Sequence, residues 1–62
     1  MTMKEYYQMT ILQGIELRKK VEKLGQYLRE EWVSKYYRNS KVYKYENNVY
    51  YIDSIHGIID IL

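Results

Sequence analysis

Tyrosine is the residue that most constrains how this chain of 62 residues can fold. Nine residues are tyrosine, and none is phenylalanine, alanine, proline or cysteine. A tyrosine side chain is an apolar plate with a hydrogen-bonding tip, so it suits surfaces that are dry on one side and hydrated on the other. Such surfaces are typical of interfaces, and the composition therefore predicts a protein that works by binding.

The length of the chain allows one domain at most and predicts marginal stability. A domain of about 60 residues buries only about 60% of the surface that its unfolded chain exposes. Small domains are commonly supported by disulfides, a metal ion or a partner subunit. Cysteine is absent and His56 is the only histidine, so we expect no disulfide, metal site or cofactor. Self-association, with a dimer as the first expectation, is the support that remains.

The charges are unevenly distributed along the chain. Residues 1–44 hold all ten basic groups and five acidic groups, whereas residues 45–62 hold three acidic groups and no lysine or arginine. No stretch is apolar and long enough to span a membrane, and the N-terminus lacks the layout of a secretion signal. We therefore predict a cytoplasmic protein. Tyrosine, isoleucine and lysine make up 23 residues, a coding bias that indicates a low-GC bacterium or one of its phages or mobile elements.

The pattern of residues predicts an α+β fold in a single small domain. A long N-terminal helix is expected over about 3–38, because no proline interrupts it. A two-stranded antiparallel hairpin is expected over about 41–53, packed on the helix. The remaining residues, 54–62, form an apolar tail.

Two capping signals bear on whether this helix is continuous. Thr2 and Glu5 have the spacing of a capping box, in which each side chain accepts a hydrogen bond from the other residue's backbone. Thr10 and Gln13 can cap a second helix in the same way. The sequence therefore leaves open whether the helix breaks near Gly14 or continues through it.

Two apolar faces follow from the helical period of about 100° per residue. One stripe, with spacings of 4, 3, 4 and 4 residues, consists of Leu17, Val21, Leu24, Leu28 and Trp32. A second face carries Ile11, Leu12 and Ile15. We expect one face to meet the hairpin and the other a second subunit. The residues predicted for self-association are Ile11, Leu12, Ile15, Leu17, Val21, Leu24 and Leu28.

The hairpin is expected to turn at Asn47-Asn48, because asparagine tolerates the positive φ angles of a type I′ turn. This turn sets Tyr45 opposite Tyr50 and Tyr43 opposite Ile52 on one face. On the other face it sets Lys44 opposite Tyr51 and Val42 opposite Asp53. One face is then wholly apolar or aromatic, as expected of a ribbon that lies on a helix.

The tail can be interpreted in two ways. As a helix capped by Ser54, it places its isoleucines on one stripe; β-branched residues are weak helix formers, however. As a third strand that follows a turn at His56-Gly57, it places Asp60 opposite Asp53, where like charges are unfavourable. The sequence favours the short helix slightly, and in either form the tail needs a surface to cover it.

The aromatic residues near the hairpin predict a site that binds another protein. Trp32 is the strongest candidate anchor, because buried tryptophan often carries binding energy. The full set of residues predicted to bind a protein partner is Trp32, Tyr36, Tyr37, Lys44 and Tyr51. A small regulator, inhibitor or adaptor works in this way.

A basic, tyrosine-rich segment over residues 35–45 supports an alternative, in which the protein is a nucleic-acid-binding regulator. Cations interleaved with stacking aromatics suit a phosphate backbone with exposed bases. The residues in question are Lys35, Arg38, Lys41 and Lys44. Ordinary solvated charges at the C-terminus of the helix are the favoured explanation of the segment, since no named nucleic-acid-binding motif accompanies it.

No catalytic motif accompanies these features, so we predict a protein that is not an enzyme and has no small-molecule substrate. Asp53, Ser54 and His56 are the residue types of a hydrolase triad, but a triad also needs an oxyanion hole and a cleft. A 62-residue chain has little room for them. We expect Ser54 to be a capping residue and His56 a surface turn residue.

Overall fold

The computed structural model describes all 62 residues and shows two helices followed by four strands. The elements are α1 (Met3–Tyr7), α2 (Ile11–Leu24), β1 (Gln26–Val33), β2 (Arg38–Tyr45), β3 (Asn48–Asp53) and β4 (Gly57–Ile61). The strands form one antiparallel sheet in the order β1-β2-β3-β4. The predicted fold is therefore wrong in its main element: no helix extends over 3–38, and the sheet has four strands instead of two. Neither helix is long and apolar enough to cross a membrane.

Both helices begin at the predicted capping boxes. The hydroxyl of Thr2 accepts from the backbone N–H of Glu5, and the Glu5 carboxylate accepts from that of Thr2. Thr10 and Gln13 make the same reciprocal pair at the start of α2. The helical region thus breaks before Thr10 and not at Gly14. Gly14 lies inside α2 and is buried against the Tyr6 ring, which a Cβ atom at this position would meet at an ordinary van der Waals distance of 3.4 Å.

Helix α2 ends at Leu24, and Gly25 is its C-cap, a position at which no larger residue fits. The N–H of Gly25 donates to the carbonyl of Val21 at 2.8 Å, and the chain then turns into an extended conformation. A Cβ atom at this position would collide with the carbonyl oxygen of Val21 and lie 3.1 Å from that of Lys44. The helix therefore stops 14 residues before the predicted end at residue 38.

The predicted stripe of apolar residues is divided between α2 and β1. Leu17 and Val21 face the core, but Leu24 at the end of α2 is exposed. Leu28 and Trp32 lie in β1, which pairs along its length with β2. Helical spacing in this segment is a coincidence, and the tyrosine, tryptophan and valine of β1 also suit a strand. Pairing with β2 decides that this segment forms a strand.

The β2–β3 hairpin is antiparallel, but its predicted register is wrong by two residues. Tyr45 lies opposite Asn48 and Tyr43 opposite Tyr50. The turn is Glu46-Asn47, and of these two only Glu46 has a positive φ angle, 54°. Asn48 is not available for the turn, because its side chain binds the backbone of Met1 and Leu62. A shift of two residues keeps each side chain on its predicted face, since strand side chains alternate with period two.

The hydrophobic core lies between this sheet and the helices. The buried residues of the core are Val21, Tyr50, Ile52, Ile58 and Ile61, packed against Met3, Tyr6, Leu17, Tyr43 and Tyr45. A second buried cluster lies on the opposite face of the sheet, and neither helix contributes to it. It consists of Val42, Tyr51 and Ile59, with Val33 and Val49 beside them.

The tail forms β4 and not the favoured helix, and Ser54 is not a helix cap. The unfavourable pair of carboxylates is avoided because the turn lies at residues 54–56 and not at His56-Gly57, which shifts β4 along β3 from the predicted pairing. Asp60 therefore lies opposite Tyr51, while Asp53 lies opposite Gly57. Gly57 has a φ angle of 82°, a conformation that favours glycine. The isoleucines of β4 suit a strand better than a helix.

Candidate functional site

More of the exposed apolar side chains lie at one end of the sheet, which we call the loop end, than at the other. Here β1 passes to β2 through residues 34–37 and β3 passes to β4 through residues 54–56. The junction between the helices, residues 8–10, and the first turns of α2 lie at the same end, against the 54–57 segment. The opposite end, which we call the turn end, contains Gly25 and the Glu46-Asn47 turn.

A groove of about 350 Å³ opens at the loop end between the helices and the β3–β4 turn. Its margins are apolar side chains that stand in solvent: Tyr7, Ile11, Ile15 and Ile55. Ile11 is 86% exposed and Ile55 is 79% exposed, which is unusual for isoleucine in a folded domain. The groove therefore offers apolar surface that the chain itself leaves uncovered.

A smaller hollow of about 240 Å³ adjoins the groove. Tyr7 and Tyr36 line it together with Ile58 and Ile59, and Arg38 and His56 complete the lining. Tyr7 and His56 line the groove as well. The two concavities are therefore parts of one continuous surface.

The β3–β4 turn beside these concavities is held by the buried carboxylate of Asp53. Its Oδ2 atom accepts from the backbone N–H of His56 at 2.9 Å and lies 2.8 Å from His56 Nδ1. Arg38 Nη1 lies 3.7 Å from the same oxygen. The hydrogen bonds from the ring and backbone of His56, with the charge of Arg38, lower the pKa of Asp53. The turn is thus fixed by a short polar network.

Asp53, Ser54 and His56 serve this turn and do not form a triad. His56 directs one ring nitrogen to Asp53, and its ring is half exposed. Ser54 contributes its carbonyl oxygen, which accepts from Arg18 Nη2 at 3.4 Å. The arrangement links the turn to α2 and positions Ile55 at its outermost point.

Three of the residues predicted to bind a partner lie in or close to the β1–β2 loop, at the loop end. Tyr37 has a φ angle of 52° and is 81% exposed. Lys35 Nζ lies 5.5 Å from the centre of the Tyr36 ring, within the range of a cation–π contact. Trp32, one residue before the end of β1, is also exposed. Trp32, Tyr36 and Tyr37 therefore lie at the same end of the molecule.

The other two predicted partner-binding residues lie elsewhere. Lys44 is near the turn end of β2, where it pairs with Gln26 and Val49. Tyr51 is only 7% exposed, in the cluster on the face away from the helices. Its hydroxyl accepts from Arg29 Nη2 at 3.4 Å. The structure does not bring these two residues to the loop end.

The four cations predicted for nucleic-acid binding do not share one face. Side chains alternate along β2, so Arg38 and Lys44 lie on the face away from the helices and Lys41 lies on the helix side. Lys35 is in the β1–β2 loop, and Arg38 faces Asp53. A continuous basic stripe is therefore not formed.

The residues predicted for self-association are also divided. Val21 is fully buried in the core, and Leu17 packs against the core and is partly exposed. Ile11 and Ile15 border the groove, and Leu12 is exposed beside them on α2. Leu24 and Leu28 are exposed near the turn end.

Sequence reasoning missed Tyr7, Ile55 and His56 at this surface. A signal for Tyr7 was present: adjacent residues on a helix point in different directions, and Tyr6 and Tyr7 cannot both face the core. Ile55, placed between Ser54 and His56 in a polar turn, was a comparable signal. Tyr7 is exposed because its neighbour Tyr6 meets the core, and Ile55 is exposed together with the rest of its turn, Ser54 and His56.

The remaining pKa shifts lie outside the loop end. Burial raises the pKa of Tyr45 and of Tyr50, and the nearby charge of Glu46 adds to both. The hydrogen bond to Glu31 raises the pKa of Arg29. No group of three metal-ligating side chains occurs in the structure.

The chain was compared with protein-family models, with curated proteins and with solved structures, and none of the three matches it. Its function has to be inferred from its own residues.

Proposed function

We propose that this chain is a small, non-enzymatic interaction protein that binds another protein through the loop end. The observation that carries the proposal is the convergence of exposed apolar side chains on two adjoining concavities. Ile11 and Ile55 border the groove, and Tyr7 separates it from the hollow lined by Tyr36. Exposed apolar surface around a concavity is typical of protein-binding sites.

Burial of these side chains would supply binding energy. Burying an aliphatic side chain fully is worth about 1.5–3 kcal/mol, and tyrosine and tryptophan are enriched among residues that dominate interfaces. Trp32 and Tyr37 extend the apolar surface on the side of the β1–β2 loop. The outer surface of α2, by contrast, carries Lys19, Lys20 and Lys23 beside Glu16 and Glu22.

The loop end is also held in place before a partner arrives. Asp53 fixes the β3–β4 turn through His56, and Arg18 binds the carbonyl of Ser54. A surface that is already ordered loses less conformational entropy on binding. A cytoplasmic, regulatory role, in a bacterium or one of its phages, completes the proposal.

Two other predictions, self-association and nucleic-acid binding, are tested separately. Self-association remains a prediction for the exposed Leu12, Leu24 and Leu28, which sedimentation of the purified chain tests. The nucleic-acid alternative has less support, because Lys41 and Arg38 lie on opposite faces of β2. A gel shift at low salt with duplex and single-stranded oligonucleotides tests it.

Capture of partners from a lysate of the source cell, followed by reconstitution with the purified partner, tests the proposed surface. Ile55→Ser and Tyr37→Ala are expected to weaken binding by about tenfold or more each. Leu24→Ser is the matched control, because Leu24 is 64% exposed but lies at the turn end. Equal affinity of the partner for wild type, Ile55→Ser and Tyr37→Ala would refute the assignment.

A further inference from the structure

The fixed charges in the linings of the two concavities are both positive. Arg18 lines the groove and Arg38 lines the hollow, and each has one carboxylate beside it, Glu22 for Arg18 and Asp53 for Arg38. Neither lining contains an aspartate or a glutamate. The nearby carboxylate of Asp53 is buried and directed at His56 and Arg38.

The two arginines differ in how many of their donors are in use. Arg18 donates from Nε to Glu22 and from Nη2 to the Ser54 carbonyl. Arg38 makes no hydrogen bond through its side chain, and its nearest carboxylate oxygen, on Asp53, is 3.7 Å away. A guanidinium has five N–H donors in a fork that matches a carboxylate. Arg38 therefore forms an ion pair with Asp53 at one edge of its guanidinium, while its N–H donors can still hydrogen-bond to a carboxylate brought by a ligand.

The size of the hollow favours a side chain as its occupant. The hollow has about 240 Å³, and the adjoining groove of about 350 Å³ can hold the segment that carries the side chain. Its walls are the side chains of Tyr7, Tyr36, Ile58 and Ile59. An apolar side chain next to a carboxylate meets both the walls and Arg38.

We infer that the loop end binds a segment of another protein in which an apolar residue stands beside an acidic one. The apolar side chain enters the hollow between Tyr7 and Tyr36, and the carboxylate pairs with Arg38. This inference rests on the proposed function, and it adds the chemistry of the partner.

Two other occupants fit the observations less well. A second copy of this chain, docked by the same surface, would set Arg38 and Arg18 against cations of its own, and like charges at an interface are unfavourable. A nucleic acid needs cations in a row to follow its backbone, and the cations of β2 are on two faces. An acidic, apolar segment meets neither difficulty.

Fluorescence anisotropy with matched peptide probes tests the inference. Three labelled peptides of one length and leucine content would differ only in the residue beside each leucine, which is glutamate, glutamine or lysine. The leucine–glutamate peptide is expected to bind about tenfold or more tightly than the leucine–glutamine peptide. The inference is overturned if the glutamine peptide binds equally well, if the lysine peptide binds best, or if none of the three binds.

Substitution of Arg38 identifies the cation. Arg38→Gln is expected to weaken the glutamate peptide by about tenfold and leave the glutamine peptide unchanged. Lys44→Gln, on the same strand and face but at the turn end, is the matched control and should change neither. Since Arg38→Gln also removes a charge next to Asp53, salt provides a second measurement on the wild type. Raising the salt from about 0.05 to 0.5 M should weaken the glutamate peptide alone, and equal weakening of both peptides is a contrary result.

The outcomes separate this inference from the function on which it rests. If Ile55→Ser abolishes binding of the cellular partner but Arg38→Gln does not weaken it, the docking surface stands and the acidic partner is wrong. If Ile55→Ser has no effect and no peptide binds, both are wrong. A dimer seen by light scattering that Ile55→Ser dissociates, or an oligonucleotide that displaces the glutamate peptide, would identify a different occupant and overturn the inference.

Discussion

At the turn end of the sheet, hydrogen bonds from Asn48 hold the two chain termini against the β2–β3 hairpin. The side chain of Asn48 accepts from the Met1 nitrogen at 2.8 Å and donates to the carbonyl of Met1 at 3.1 Å. Val49 and Leu62 exchange two backbone hydrogen bonds beside it. At the loop end, Asp53 fixes one turn, but Ile11 and Ile55 stand in solvent around it. Leu24 and Leu62 are exposed at the turn end as well, but the groove and the hollow lie at the loop end. The two ends therefore differ in the concave apolar surface that the loop end offers.

The largest expected effect comes from Gly25 at the turn end. Gly25→Ala places a Cβ atom against the carbonyl oxygens of Val21 and Lys44, so backbone must move to make room. We expect a loss of about 3 kcal/mol in the free energy of unfolding, a large share of the stability of a small domain. Urea denaturation followed by circular dichroism measures it.

Gly57→Ala at the loop end is the control for this substitution. A Cβ atom there would lie 3.8 Å from Tyr6 Oη, so the strain comes from the φ angle of 82° alone. We expect a loss of about 1 kcal/mol. A larger loss for Gly57→Ala than for Gly25→Ala would contradict the comparison of the two ends.

Asn48→Ala should have the next largest effect, because it removes the hydrogen bonds to Met1 and Leu62. These bonds are exposed, so we expect a loss of about 1 kcal/mol in the free energy of unfolding. Asn39→Ala is the matched control, since the Asn39 amide donates one surface hydrogen bond to Glu30. Equal stability of the two variants would show that Asn48 does not hold the turn end.

Acid should loosen the loop end through Asp53. Its pKa is lower in the folded protein than in the unfolded chain, where it is about 3.9. Its contribution is therefore complete above about pH 4 and is lost as the pH falls through the lowered folded value. Thermal unfolding of Asp53→Asn and wild type should differ most near neutral pH and converge in acid. Asp60→Asn is the control, and a difference that persists unchanged in acid contradicts the assignment.

The helix starts could be predicted from sequence because a capping box is local. The two residues of each pair, Thr2 with Glu5 and Thr10 with Gln13, lie within one helical turn, and the structure confirms both capping boxes. The sides of β2 and β3 could be assigned for a similar reason, since alternation fixes the face even where the register is wrong. These features depend on neighbours in sequence.

Strand β1 was not predicted and β4 was only the less favoured alternative, although each forms a hairpin with its neighbour in sequence. Leu28 and Trp32 fit a helical stripe, and only pairing with β2 makes them part of a strand. For β4 the position of the turn decides the register: with the turn at residues 54–56, Asp60 lies opposite Tyr51 and not opposite Asp53. At the candidate site, Trp32, Tyr36 and Tyr37 were found from residue type alone. Tyr7 and Ile55 were missed although the sequence held a signal for each, and the fold shows that both are uncovered.

Ile55→Ser at the loop end should change the stability least, and it tests directly whether the exposed surface there contributes to folding. Ile55→Ser removes an apolar side chain that is already in solvent, so the free energy of unfolding should change by less than about 0.5 kcal/mol. Denaturation at two protein concentrations measures it, and Ile58→Ala, a core substitution, provides the contrast with a loss of about 3 kcal/mol. If Ile55→Ser is instead strongly destabilising, and more so at high protein concentration, Ile55 is covered by a second copy. An unchanged stability means that the isoleucine at the loop end contributes nothing to folding and is free to bind a partner.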